Sequence, residues 1–156
     1  MKTLIISFVF LFVFGYMAFS QKPITIKEST IDFKHGPTPG FLLAIPEVSY
    51  ETISESWIKS LEQGTKSKVQ MELGELSIFG ANIKEIALTP INVYSHIKDK
   101  DSVTILAAAF ELKKDEYISS ETQSEKFVMA KDYLFLFASD LYLKLAKDEL
   151  RDEEKK

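Results

Sequence analysis

The longest helical pattern in the sequence lies between Ser119 and Lys156. Apolar residues recur there at spacings of three and four, which places them on one side of a helix. A serine hydroxyl accepts hydrogen bonds from a first helical turn, so Ser119 or Ser120 is the predicted N-cap. We expect the helix to pack this apolar stripe on a sheet and so close the domain. The stripe consists of Phe127, Ala130, Leu134, Phe137, Ala138, Leu141 and Leu145.

A second apolar set on the same helix falls largely outside that stripe. It makes the helix apolar over a wider arc than a one-sided surface helix needs. One interpretation is that a shorter helix around Trp57, or the N-terminal arm, covers the set. The other is that it forms a surface for a protein partner or a second copy, or one wall of an apolar ligand pocket. The set consists of Val128, Phe135, Leu136, Leu143, Ala146 and Leu150.

Most of the preceding chain alternates apolar and polar residues with a period of two, which is typical of half-buried strands. The continuous apolar run 41–45 and the largely apolar segment 103–112 predict buried strands. We further predict strands over 24–33, 69–73, 76–78, 83–88 and 91–98. Pro and Gly residues at 36–40 predict a rigid turn that separates an N-terminal arm from the domain.

One short amphipathic helix is predicted over residues 50–63. Ser49 is placed as its N-cap, and Gly64 stands where helices commonly end. Its apolar residues share one face, and we expect Trp57 to be its anchor in the core.

Three consecutive alanines, Ala107, Ala108 and Ala109, lie in the most apolar predicted strand. Small side chains let a bulky neighbour approach closely, so we expect the C-terminal helix to cross the sheet there.

These elements together predict an α+β fold, specifically a two-layer sandwich. An antiparallel sheet of about five strands should carry the short helix and the long C-terminal helix on one face. The predicted organisation is a signal peptide (1–20), an N-terminal strand or arm with the Pro/Gly turn (21–40), a single α+β domain (41–150) and a charged tail (151–156).

The first twenty residues have the pattern of a secretory signal peptide. Lys2 is followed by an apolar run, and Ala18-Phe19-Ser20 provides a small-x-small cleavage site before Gln21. The run is shorter than the roughly 20 residues that span a bilayer. We therefore predict a bacterial periplasmic or secreted protein that meets the membrane only through the signal peptide before cleavage. Because the chain has no cysteine, it is not predicted to be a lipoprotein and has no disulfides.

Charge and motifs narrow the classes of function. Loss of Lys2 with the signal peptide changes the formal charge of −4 to −5, and basic and acidic residues are interleaved, so nucleic-acid binding is not expected. Glycine loops for phosphates or dinucleotides and the Gly-x-Ser-x-Gly elbow do not occur in the sequence. No cofactor or metal is predicted.

The candidate catalytic side chains lack convincing partners. His35 and His96 are the two histidines, and their spacing fits no metal-binding motif. A surface or partner-facing role is the prediction for both. Asp115, Glu116 and Glu121 could form an acid/base pair in principle, but the pattern favours solvated connector charges. The chain is predicted not to be an enzyme, and no catalytic residues are assigned.

Six short segments, distributed from the end of the predicted signal peptide to the C-terminal helix, have a recognisable combination. They are Ser20-Gln21, Trp57-Ile58-Lys59-Ser60-Leu61, Ile83-Lys84-Glu85-Ile86, Ile91-Asn92-Val93-Tyr94, Tyr117-Ile118-Ser119-Ser120 and Phe137-Ala138. In these segments the chain resembles a family of small exported proteins of unknown function that is common in Bacteroidota. The resemblance implies an exported α+β domain with a long C-terminal helix and implies no activity.

The leading functional hypothesis is a non-enzymatic envelope protein that binds a protein partner or itself through the long helix. The alternative hypothesis is a carrier that holds a small apolar ligand between the sheet and that helix.

Overall fold

The computed structural model describes residues 23–155, so the predicted signal peptide lies outside the described range. The elements are, in chain order, β1 (Thr25–Phe33), β2 (Gly36–Pro46), α1 (Tyr50–Leu61), β3 (Gln70–Glu72), β4 (Glu75–Ala81), β5 (Ile91–Lys100), β6 (Val103–Lys113), β7 (Glu116–Tyr117) and α2 (Ser124–Glu153).

The seven strands form one open antiparallel sheet, which confirms the α+β class. Their order is β1-β2-β6-β5-β4-β3, and the short β7 pairs with β6. The sheet is larger than the predicted five strands. Both helices contribute to a single core cluster on one face of the sheet, as predicted. We call the opposite face, to which neither helix contributes, the helix-free face.

The predicted Pro/Gly turn at 36–40 is wrong, because those residues form the first half of β2. The chain reverses at Lys34 and His35, and β2 then pairs with β1 along its length. Pairing of β2 with β6 begins only at Phe41. Pro37 and Pro39 therefore precede that ladder and remove no hydrogen bond from it, which is where a strand tolerates proline.

The strand predicted over 83–88 is also wrong. The amides of Ile86 and Ala87 donate to the carbonyl of Ile83, at 3.0 Å in each case, and close a single turn. Ile83 and Ile86 are both buried. Their spacing of three fits one helical turn as well as the neighbouring apolar positions fit a strand, so a pattern this short does not distinguish the two.

Helix α1 confirms its prediction. The hydroxyl of Ser49 accepts a hydrogen bond from the amide of Thr52 at 3.2 Å, which caps the first turn. Trp57 is fully buried, and its indole N–H donates to the Ser95 hydroxyl at 2.9 Å. This bond satisfies the one polar group of the ring inside the core.

Helix α2 begins at Ser124, later than the predicted Ser119 or Ser120. Ser119 instead accepts a hydrogen bond from the Thr122 amide at 3.2 Å and caps a separate turn. Ser120 donates to Glu28 of β1 through its amide (2.8 Å) and its hydroxyl (2.6 Å). The helix continues to Glu153, so the predicted charged tail of 151–156 is helical for three of its residues.

The three alanines of β6 are divided between the two faces of the sheet. Ala108 belongs to the main core, whereas Ala107 and Ala109 point to the helix-free face and cluster there with Ile31 and Phe33. Neighbouring side chains alternate between the two faces of a strand, so α2 can meet only one of the three alanines. The prediction that α2 crosses the sheet over all three alanines is therefore wrong for Ala107 and Ala109.

Candidate functional site

The inner side of α2 is fully engaged in the core. Ala130, Leu134, Ala138 and Leu141 are buried. The Phe137 ring meets the Trp57 ring edge-on at 5.0 Å between centroids, and the Tyr133 hydroxyl lies 2.8 Å from the Ser60 hydroxyl. These contacts join α2 to α1 and commit most of the inner stripe to the core.

The outer side of α2 carries the predicted second apolar set, and the structure leaves it uncovered. Four of its large side chains, at positions 128, 135, 136 and 143, are between 50% and 57% exposed, and Leu150 is 62% exposed. Ala146 is exposed as well. Neither α1 nor β1 lies over this side in the described residues, so the expectation of burial within the domain is wrong. We call Val128, Met129, Phe135, Leu136, Leu143, Ala146 and Leu150 the outward stripe.

The outward stripe has a regularity that the sequence prediction missed. Met129, Leu136, Leu143 and Leu150 follow one another at intervals of seven, and each is exposed. Ser139 and Ala146, which are small, stand three residues after two of these positions. A seven-residue apolar repeat is the pattern of helices that pack on another helix. The seven-residue repeat is visible in the sequence, but the apolar residues of the inner stripe lie between its members and make it hard to recognise.

Ser139 is a polar residue that lies beside the middle of the outward stripe, on the same side of α2. Its hydroxyl donates to the Phe135 carbonyl at 2.8 Å, within the helix itself. A hydroxyl satisfied in this way does not depend on water. The centre of the stripe can therefore be covered by a partner without leaving that donor unpaired.

Aromatic rings lie in the layer between the sheet and α2, where the alternative hypothesis places an apolar ligand. The Phe41 ring lies 5.8 Å from the Phe110 ring and 5.1 Å from the Phe127 ring. A groove of about 520 Å³ lies elsewhere, between α1 and α2. Its walls include Ser60, Tyr133, Leu136, Phe137 and Lys144.

The helix-free face brings together the two histidines, which are far apart in the sequence. The Phe33 ring lies between them, 5.7 Å from His35 and 5.6 Å from His96. Nε2 of His35 is 2.9 Å from the Thr38 hydroxyl and 3.0 Å from the Tyr117 hydroxyl. His96 is thus partly buried on this face and is not a freely exposed surface residue. Burial and the nearby charge of Lys98 lower the pKa of its imidazole.

Glu111 is the carboxylate that sequence analysis missed. It is buried on the helix-free face, where Oε2 accepts from Asn92 at 2.8 Å and from Tyr94 at 3.2 Å. Its Oε1 accepts from the Asp115 amide at 2.9 Å. Burial raises the pKa of the Glu111 carboxyl, but these hydrogen bonds outweigh burial, and the pKa lies below its ordinary value.

Two tyrosines surround this carboxylate. Burial, followed by the charge of Glu111, raises the pKa of Tyr94 to about 12 and that of Tyr117 to about 12. Both phenols therefore keep their protons at neutral pH and act as hydrogen-bond donors or acceptors without charge. The network consists of groups that satisfy one another and holds β7 and the turn at Lys34 and His35 against the sheet.

The three carboxylates considered as an acid/base pair do not converge. Glu116 accepts a hydrogen bond from the Gln123 side chain at 2.7 Å, Asp115 contacts Glu111 through its backbone, and Glu121 is exposed. Within residues 23–155, no group of three His, Asp or Glu side chains has the arrangement of a metal site. Over the same range, no helix has the length and apolarity needed to cross a membrane.

The described part of the chain is an α+β domain whose long C-terminal helix has exposed apolar side chains along its outer side. Comparisons with known protein families, with curated proteins and with solved structures found no match.

Proposed function

We propose that this chain is an exported, non-enzymatic cell-envelope protein, periplasmic or secreted, that binds another protein chain or itself through the outward stripe of α2. The observation that carries this proposal is the half-exposed state of Phe135, Leu136 and Leu143 at the middle of a helix whose inner side is already packed.

The buried residues of α2, namely Ala130, Leu134, Ala138 and Leu141, all belong to the inner stripe. The half-exposed side chains of the outward stripe therefore contribute less to the core of the isolated domain than they would contribute to an interface. Apolar surface gains about 25 cal/mol for each Å² removed from water. A continuous row of such side chains along one helix therefore favours association.

The ionisable groups of the helix-free face support a binding protein rather than an enzyme. His35 is engaged by Thr38 and Tyr117, and Glu111 accepts three hydrogen bonds from its neighbours. Groups engaged in this way stabilise β7 and the first hairpin. The perturbed pKa values of Tyr94 and Glu111 have a structural cause in burial and in the hydrogen bonds that these groups make.

The test is the solution mass of the mature protein, from Gln21 onward, measured by analytical ultracentrifugation over a wide range of concentration. We expect a concentration-dependent dimer. Leu143→Glu should weaken it by about ten-fold or more, because the change removes a buried leucine from the interface and places a charge there.

Leu88→Glu is the matched control, since Leu88 is 93% exposed in the loop before β5 and is not part of α2. It should leave the dimer unchanged, and both variants should unfold at the temperature of the wild type. A strict monomer at high concentration, or equal effects of the two variants, would contradict self-association through the stripe.

A further inference from the structure

We infer that the partner of the outward stripe is a second copy of this chain, bound with the two α2 helices antiparallel and related about a point near Leu141. This inference rests on the proposed function and adds the identity and orientation of the partner. In this arrangement Leu143 packs against Ser139 of the second copy, and Leu136 packs against Ala146 of the second copy.

The seven-residue spacing supports a helix as the partner. Met129, Leu136, Leu143 and Leu150 extend over 22 residues of a 30-residue helix, about 32 Å along its axis. Another helix can follow such a row along its whole length, whereas a loop or a strand edge cannot. The same row on a second copy satisfies this requirement.

Side-chain sizes favour the antiparallel orientation. The large Leu136 and Leu143 alternate along the stripe with the small Ser139 and Ala146. Two antiparallel copies place Leu136 and Leu143 opposite the two small residues, so the helices approach closely and the space there is filled. Two parallel copies in register place small residues opposite each other and leave gaps between the leucine layers.

Charges along the stripe favour the same orientation. Asp132 lies on the stripe three residues after Met129 and is exposed. An antiparallel second copy places it opposite Leu150, one turn from Lys147 of that copy, and places Asp140 near Lys144 of that copy. A parallel copy places Asp132 against Asp132, which is a like-charge contact across the seam.

A membrane surface is a less suitable partner for this helix. Acidic residues outnumber basic residues on α2, with Glu149, Asp152 and Glu153 at its C-terminal end. Helices that lie on anionic lipid carry mainly Lys and Arg beside their apolar side. The charge pattern of α2 therefore favours a protein partner.

Disulfide trapping tests the orientation directly, because the chain has no cysteine of its own. Two single variants are prepared in the mature protein, Leu136→Cys and Ala146→Cys. In the antiparallel dimer these two positions face each other, but each is about 15 Å along the axis from its own counterpart. A disulfide requires Cα atoms about 4 to 7 Å apart.

We expect covalent dimers when the two variants are mixed and oxidised, and little or none from either variant alone. Leu88→Cys mixed with Ala146→Cys controls for random collision and should remain monomeric on a non-reducing gel. Covalent dimers from each variant alone would show parallel helices and overturn the inference.

The outcome also separates this inference from the proposed function. A wild-type dimer that Leu143→Glu weakens, combined with no disulfide in any mixture, would leave self-association standing and reject the antiparallel arrangement. A wild-type chain that stays monomeric at all concentrations would reject both.

Discussion

The outward stripe of α2 and the helix-free face of the sheet both lack a covering layer in the described part of the chain, yet they differ in exposure. On the helix-free face Ala107 and Ala109 are fully buried, because Phe33, Tyr94 and Tyr117 lie around them. On the outward stripe the large side chains themselves remain half-exposed.

The difference shows how a sheet can bury a face without a second layer. Small residues in the central strand form a floor, and long side chains from neighbouring strands fold over it with their polar ends hydrogen-bonded. An uncovered face is therefore no sign of a partner by itself. What indicates a partner on α2 is that Phe135, Leu136 and Leu143 stay at least half-exposed in a row along one side of the helix.

Replacement of alanine by leucine on each surface tests this comparison and has the largest expected effect. Ala107→Leu should lower the free energy of unfolding by about 1 to 3 kcal/mol, because the site is filled and the added carbons force Phe33 or His96 aside. Urea unfolding measures the change.

Ala146→Leu is the matched variant on the outward stripe. It should change the free energy of unfolding by less than about 0.5 kcal/mol, since the position is exposed in the monomer. Equal destabilisation by the two variants would mean that the surfaces do not differ as described. In the antiparallel dimer the larger side chain should also weaken association, because it meets Leu136 of the second copy.

Glu111→Gln tests the hydrogen-bond network that closes the helix-free face. We expect a loss of about 1 to 3 kcal/mol in the free energy of unfolding at pH 7, since the substituted amide accepts through one oxygen where the carboxylate accepts through two. The exposed Glu121→Gln removes the same charge as a control and should have little effect.

The same variant gives a pH dependence of known sign. The folded-state pKa of Glu111 lies below its ordinary value, so its stabilisation is present above the unfolded-state pKa of about 4.5 and is lost as pH falls through the folded-state value. Wild-type stability should therefore fall more steeply below pH 4.5 than that of Glu111→Gln. Parallel curves for the two proteins would contradict the assignment.

A charge exchange on the outward stripe has the smallest expected effect. Asp132→Lys and Lys147→Asp should each weaken the dimer by about two- to five-fold, because exposed ion pairs contribute little. An equal mixture of the two variants should recover heterodimer affinity, as measured by sedimentation. Mixing without recovery would show that these residues do not meet across the dimer.

Elements with a strong local period could be predicted from the sequence. The cap at Ser49, the burial of Trp57 and the inner stripe of α2 follow from spacings within one helix. The six residues of the second apolar set were also identified, and their spacing alone indicated that they lie off the inner stripe. Whether anything covered them depended on the placement of α1 and β1.

Features that depend on distant pairing could not be predicted in this way. Residues 36–40 have turn-forming composition, but pairing with β1 holds them in a strand. The alanine run was assigned to α2 because nothing local shows which face of β6 the other strands cover with rings. Glu111 stood at the end of an apolar run, and its partners Asn92 and Tyr94 come from β5.

The strand order also has a consequence for the sequence of folding events. The β1-β2 hairpin and the β4-β5-β6 meander each pair strands that follow one another in the chain. The pairing of β2 with β6, by contrast, joins residues that are far apart in the sequence, such as Phe41 and Ala108. Loop closure over such a separation is slow, and a chain still being synthesised holds an unpaired β2 edge until β6 is made. Helix α2, made last, contacts β1 and β2, and its Tyr133 ring lies edge-on to the Phe110 ring of β6 at 6.3 Å between centroids. The C-terminal helix thus joins the early hairpin to the late meander.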